Sequence, residues 1–290
     1  MQKSIFIALL GVICSFTVAS QKSYEFSKPV LNDILPASLH EISGLSIIDS
    51  TTIACIQDEN GILFLYDLKT HRLKQQYAFG LNGDYEGITR VGPVLYVLRS
   101  DGILFEINGY KTGKLKVKTY STGIPALNNE GLCYDSLNNR LLIGAKGRIN
   151  KDALNKDLRC IYAFDLKTKI LNQKPAYTFS TLGINLFAKL NGVELQKRKT
   201  KNGHVVDVSL KLNTSEIALH PITGQLYVLS AADHCLFVFS ASGELEKIEQ
   251  LNRITFNKAE GLSFYNNGDM LISNEGQANQ PTLLKFKYKH

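Results

Sequence analysis

Short apolar runs alternate with turn residues along almost the whole chain, and the alternation returns at a regular interval. Five times a turn ending in Ser or Glu leads into an apolar strand: Ser43-Gly44-Leu45, Glu86-Gly87-Ile88, Glu130-Gly131-Leu132, Ser215-Glu216-Ile217 and Glu260-Gly261-Leu262. The first residues of these copies lie 43, 44, 85 and 45 positions apart. The interval of 85 holds an additional segment, so it does not require a sixth copy. A period in the forties built from β-prone units marks a β-propeller, in which radial repetition gathers one position per blade around a central channel.

Each unit continues in the same way. A turn such as Asp135-Ser136-Leu137-Asn138-Asn139 or Asn266-Asn267-Gly268-Asp269 precedes a second strand, predicted at Thr52 to Ile56, Val94 to Leu98, Leu141 to Gly144, Leu226 to Leu229 and Met270 to Ile272. A polar bend then leads to a third strand rich in aromatic and branched residues, such as Ile62 to Tyr66 or Leu236 to Phe239. β-Branched and aromatic runs bounded by Gly, Asn, Asp and Pro are the signature of hairpins. A more polar fourth strand follows in four units, as in Arg72 to Phe79 and Leu115 to Tyr120, but the fifth unit has only three. The stretch Tyr24 to Leu31 is expected to supply the missing outer strand, pairing with Leu283 to Phe286 and closing the ring. The prediction is one all-β domain over residues 21–290: a five-bladed propeller of four-stranded blades with an inserted segment at about 180–213. No stretch shows sustained helical periodicity.

A hydrophobic share of 44% in 290 residues suffices for a single large core. At the N-terminus, Lys3, the apolar run Ile5 to Val18 and the small residues up to Ser20 read as an export signal over residues 1–20, with an uncleaved anchor as the other reading. Ile13 before Cys14 argues against lipid attachment. Loss of Lys3 takes the net charge from +7 to +6. The expected location is the periplasm or cell envelope. Cys55, Cys133, Cys160 and Cys235 lack CxxC spacing and fall in or beside strands, Cys55 and Cys133 in different blades, so buried free thiols are expected rather than zinc ligands or a disulfide. The basic run Lys197-Arg198-Lys199-Thr200-Lys201 lies in the insertion and reads as a solvated loop, with contact to anionic lipid or polysaccharide as the alternative. Without interleaved aromatics it gives no nucleic-acid footprint. A monomer is expected.

The ordered series Glu86-Gly87-Ile88, Glu130-Gly131-Leu132-Cys133-Tyr134-Asp135, Ser215-Glu216-Ile217-Ala218-Leu219-His220-Pro221, Ala259-Glu260-Gly261-Leu262 and Ile272-Ser273-Asn274-Glu275-Gly276 resembles the SdiA-regulated (YjiK-like) family of bacterial envelope proteins, distant relatives of NHL-repeat propellers. The likeness spans roughly Tyr24 to Phe286. It implies a five-bladed propeller with a bound calcium ion and supplies no established reaction.

The residues carry a related expectation of their own. Glu86, Glu130 and Glu260 should crowd one part of the channel, where mutual repulsion raises at least one pKa. A hard divalent cation relieves that repulsion, and Ca²⁺ accepts irregular oxygen cages. Ser43, Ser215 and backbone carbonyls are candidate further ligands, and Glu275, a Gly-flanked acid in the bend after the fifth unit's second strand, is another. The same glutamates could instead accept hydrogen bonds between blades, or serve as catalytic acids. A second polar layer is expected from the bends holding Asp58, Glu59, Asp101, Lys146, Asp233, His234 and Asn274. Two function classes follow. One is a non-catalytic, calcium-stiffened binding protein for an envelope protein, glycan or small molecule. The alternative is a metal-dependent lactonase or esterase-like hydrolase. No GxSxG elbow or Ser-His-Asp order is present.

Overall fold

A computed structural model describes residues 24–126, 128–148 and 155–289. Residues 1–20, read above as an expected export signal, lie outside the described residues. The chain forms a five-bladed β-propeller. Blade one is β2 (Ile42–Ile47), β3 (Thr52–Gln57), β4 (Ile62–Asp67) and β5 (Arg72–Ala78). Blade two is β6 (Tyr85–Val91), β7 (Val94–Arg99), β8 (Ile103–Asn108) and β9 (Lys116–Ser121). Blade four is β17 (Glu216–Leu219), β18 (Leu226–Ser230), β19 (Cys235–Phe239) and β20 (Leu245–Gln250). All pairings are antiparallel between chain neighbours.

Blade three departs from this plan. After β10 (Asn129–Asp135), β11 (Arg140–Ala145) and β12 (Leu158–Asp165), the outer position is shared. β13 (Ile170–Leu171) pairs with the end of β12, and β14 (Tyr177–Ser180) pairs with its beginning. Blade five consists of β21 (Ala259–Phe264), β22 (Met270–Asn274) and β23 (Thr282–Phe286), completed by β1 (Leu31–Ile34) from the opposite end of the sequence.

Ring closure therefore occurs as expected, but with different residues. The closing strand is Leu31–Ile34, not Tyr24 to Leu31, and Leu31 pairs with Lys285. Pro29 has no N–H to offer a ladder, and the rings of Tyr24 and Phe26 are used elsewhere. They enter an aromatic cluster with Tyr227, Phe256, Phe264, Phe286 and Tyr288 at the junction of blades four and five.

Burial explains the sequence pattern. β3 is buried at every position, whereas β5 is mostly exposed with partly buried positions at Leu73 and Tyr77. Inner strands pack between neighbouring blades and so read as continuous apolar runs; outer strands have one face in water. The insertion contains α1 (Thr181–Leu190) and a hairpin of β15 (Lys197–Lys199) and β16 (Val205–Asp207). The basic run is thus largely a strand rather than a loop, although Lys197, Arg198 and Lys199 are exposed as expected. Cys55, Cys133, Cys160 and Cys235 are buried and free.

Candidate functional site

A β-bulge begins the innermost strand of four blades. The ladder skips one residue between Ile42 and Gly44, Tyr85 and Gly87, Asn129 and Gly131, and Ala259 and Gly261. The skipped residues are Ser43, Glu86, Glu130 and Glu260, four of the five repeated anchors. A bulge leaves its extra residue outside the ladder and re-aims it. The glycine that follows allows the inner strands to approach. A Cβ on Gly87 would lie 2.7 Å from the Glu130 carbonyl oxygen, and one on Gly131 would lie 2.9 Å from the Ile217 nitrogen.

Blade four replaces that glycine with Glu216, which pairs with Leu229. Glu216 is 1% exposed. Its Oε1 accepts a 2.7 Å hydrogen bond from the Leu132 amide of blade three and a 2.9 Å bond from the Ile217 amide. The fifth anchor, Ser215, accepts from the Ala231 amide at 3.2 Å and hydrogen-bonds Glu260.

The bends after the second strands lie at this same mouth. The Asp58 amide donates to the Glu41 carbonyl, Ser100 to Asp84, Lys146 to Asn128 and Glu275 to Lys258. In each case the acceptor stands two residues before the anchor. This arrangement surrounds the anchors with further charge. Lys146 ion-pairs with Glu130, and Lys258 with Glu275.

The carboxyls act on one another. Burial first, then the Glu130 and Asp84 charges, push Glu86 up to about 9. Burial and Glu260 push Glu130 up to about 8, against the pull of Lys146. Burial raises Glu260 despite Ser215 and Lys258, and raises Glu216 well above the usual carboxylate range. Asp58 rises to about 6 through burial and its neighbours Glu41, Glu275 and Glu59. Groups coupled in this way titrate as a set.

Oxygen acceptors outnumber donors here. Among the described residues, buried Asp58 Oδ1, Asn129 Oδ1, Glu130 Oε2, Glu216 Oε2 and Asn274 Oδ1 have no hydrogen-bond partner. An oxygen-only set of this kind suits a hard cation. Among the described residues, however, no group of three or more His, Cys, Asp or Glu side chains is arranged to hold a metal ion. Lys146 and Lys258 bring positive charge to Glu130 and Glu275.

The predicted site residues thus come together in part. Glu86, Glu130 and Glu260 are electrostatic neighbours, with Ser215 on Glu260 and Glu275 within range of Glu260. The Ser43 hydroxyl donates 2.6 Å to the Tyr85 carbonyl, tying blade one to blade two. Asp101 is held by Arg99, at 3.0 and 2.8 Å, on the exposed surface. Asp233 accepts from Ser230 and the Lys211 amide, and His234 adopts φ +51° in its turn, so both serve local geometry. The sequence reading missed Glu41, Asp84, Glu216 and Lys258. Their shared signal is position: one residue after an anchor for Glu216, two before for the others.

Two residues past each anchor, the inner strand of every blade carries a buried apolar residue: Leu45, Ile88, Leu132, Ile217 and Leu262. These residues border a cavity of about 610 Å³, which continues past Arg90, Tyr134, Phe264 and Tyr265. The carboxyl cluster therefore occupies one end of the inner strands, and the cavity begins beyond an apolar collar.

No family model matches the chain, and no curated protein does. Among solved structures, the chain is similar to glutaminyl cyclase from Myxococcus xanthus, with a TM-score of 0.58 and 15% identity over 90% of this chain and 96% of that one. That likeness shows the fold alone. The β-propeller expectation is borne out; the SdiA-regulated family name has no matching family model behind it.

Proposed function

We propose that this chain is an exported envelope β-propeller whose carboxyl-lined mouth binds Ca²⁺, and that it acts as a non-catalytic binding protein. One observation carries the reading: the buried acids Glu86, Glu130, Glu216 and Glu260, one from each of four blades, act on one another electrostatically, and Glu130 Oε2 and Glu216 Oε2 have no hydrogen-bond partner among the described residues. In this reading Glu86, Glu130 and Glu260 turn toward the ion, Ser43, Ser215 and Glu275 contribute further oxygens, and Lys146 and Lys258 swing outward. Glu130 Oε2 and Glu216 Oε2 then gain the partner they lack.

Thermal melts with calcium and with chelator test the proposal. A ligand of the folded state stabilises by about 2.7 kcal/mol at a hundredfold excess over Kd. The melting temperature should rise with millimolar calcium, fall back with chelator, and lose the response in Glu130→Gln. A wild-type melt indifferent to calcium rejects the ion and leaves the glutamates as hydrogen-bonding and proton-sharing groups. Export is checked separately: N-terminal sequencing should find a mature chain starting near residue 20 or 21, and an intact Met1 would favour an anchor.

A second reading is supported by the carboxyls at about 8 and 9, a range suited to general acid-base work near neutral pH. A panel of lactones, aryl esters and N-terminal glutaminyl peptides, the last chosen because the similar structure is named a glutaminyl cyclase, separates the two. Turnover abolished by Glu86→Gln would replace the binding role with catalysis.

A further inference from the structure

The insertion carries a feature unrelated to the carboxyl mouth. α1 begins at Ser180, whose hydroxyl accepts from the Gly183 amide, and it turns Ile184 and Ala188 inward onto blade four's core. The other side presents Leu182, Leu186 and Leu190, which are 67%, 57% and 76% exposed. Residues four apart stack on one helix face, so these three form a continuous apolar row in water. Val205 on the hairpin is 58% exposed as well.

The same insertion is strongly basic. Between residues 181 and 211 stand Lys189, Lys197, Arg198, Lys199, Lys201 and Lys211, against Glu194 and Asp207 alone. Among the described residues, none of the six cations takes part in an ion pair. The helix and the returning chain are fastened together. Asn185 donates 2.9 Å to the Leu210 carbonyl and accepts 2.9 Å from its amide. The Val208 amide donates to Gln196, holding the base of the hairpin.

We infer that this insertion is a docking element for an anionic lipid bilayer. A leucine row along a short helix matches the acyl boundary, and the unpaired lysines of the same insertion match anionic headgroups. The complementarity is specific to that surface. An acidic polysaccharide would engage the cations and leave the leucines in water, whereas an apolar protein groove would leave the cations unmatched. With ten residues, α1 can lie along a bilayer but is far too short to cross one.

Vesicle flotation tests the inference, with the full chain and the chain from Gln21 compared so that the apolar N-terminal run does not set the result. The protein should float with vesicles containing about a third phosphatidylglycerol and stay behind with pure phosphatidylcholine. The triple variant Leu182→Ser/Leu186→Ser/Leu190→Ser should reduce the bound fraction at least about tenfold, and Lys197→Glu/Lys199→Glu should do likewise, both with unchanged melting temperature. Equal binding to neutral vesicles, or binding that ignores the leucine variant, overturns the inference. So does a concentration-dependent dimer abolished by that variant, or retention on an acidic polysaccharide without binding to vesicles.

Discussion

The Tyr24 hydroxyl lies 2.9 Å from Nε2 of His220, across 196 residues of sequence. Nδ1 of His220 accepts from the Thr223 amide and contacts its hydroxyl, so Nε2 carries the proton and donates to Tyr24, which in turn donates to the Gly268 carbonyl. The chain's early segment is thereby pinned to blades four and five by a closed relay of hydrogen bonds inside an aromatic cluster.

Replacing Tyr24 with Phe keeps the ring and breaks the relay, leaving a buried imidazole N–H unmatched. A loss of about 1–3 kcal/mol is expected, read by denaturant titration. Burial also lowers His220 to about 4. The neutral imidazole is the native form, so its contribution is full above pH 6.5 and disappears as pH falls toward 4. That amounts to roughly 3 kcal/mol, and the difference between wild type and His220→Gln across this window isolates it.

The carboxyl mouth has the opposite sign. Glu86 and Glu130 sit at about 9 and 8 when folded, so the native state holds protons that the unfolded chain releases near pH 4.5. In chelator, stability should fall as pH rises from 5 to 9. Glu86→Gln, which resembles the protonated acid, should flatten this decline. Calcium competes with these protons, so its effect on the melting temperature should be larger at pH 9 than at pH 6.

Gly87→Ala tests the close approach of the inner strands. The added methyl would meet the Glu130 carbonyl oxygen at 2.7 Å and Leu132 Cβ at 2.8 Å. A cost of about 1–3 kcal/mol is expected from overpacking. Gly92→Ala is the poorer comparison because its φ is +56°, whereas Gly147, whose added Cβ would meet none of the described residues within 4 Å, should tolerate alanine with little change.

Glu216 separates shape from charge. Glu216→Gln preserves the acceptor for the Leu132 amide and should be near neutral at pH 6. Glu216→Ala strands that amide and opens a cavity, for a loss of about 2–4 kcal/mol. Chemical denaturation of both variants reads the contrast.

The propeller was legible because its inner strands are buried on both sides and repeat once per blade, which places long apolar runs at fixed intervals. Four of the anchors were visible as Ser or Glu before Gly. Glu216 was hidden because it occupies the glycine's own place, and Lys258 because its role depends on a bend 17 residues later, at Glu275. The closing strand was misplaced because Tyr24 and Phe26 alternate like strand residues while their rings fill a gap between blades. α1 escaped notice because Ile184, Phe187 and Ala188 on the buried side face the same helix as Leu182, Leu186 and Leu190 on the exposed side. A ten-residue helix with apolar side chains on both sides is too short for a sustained helical periodicity to stand out.

The strand pair β1 and β23 joins residues roughly 250 positions apart, the longest-range pairing in the ring, and such contacts form late because closing long loops is entropically slow. Until that pairing forms, blade five shows the bare edge of β23 to its surroundings. An arc of blades with one open edge is the species at greatest hazard of joining another chain's strand instead of its own. The four residues Leu31–Ile34 thus guard the protein during assembly as much as they complete it afterwards.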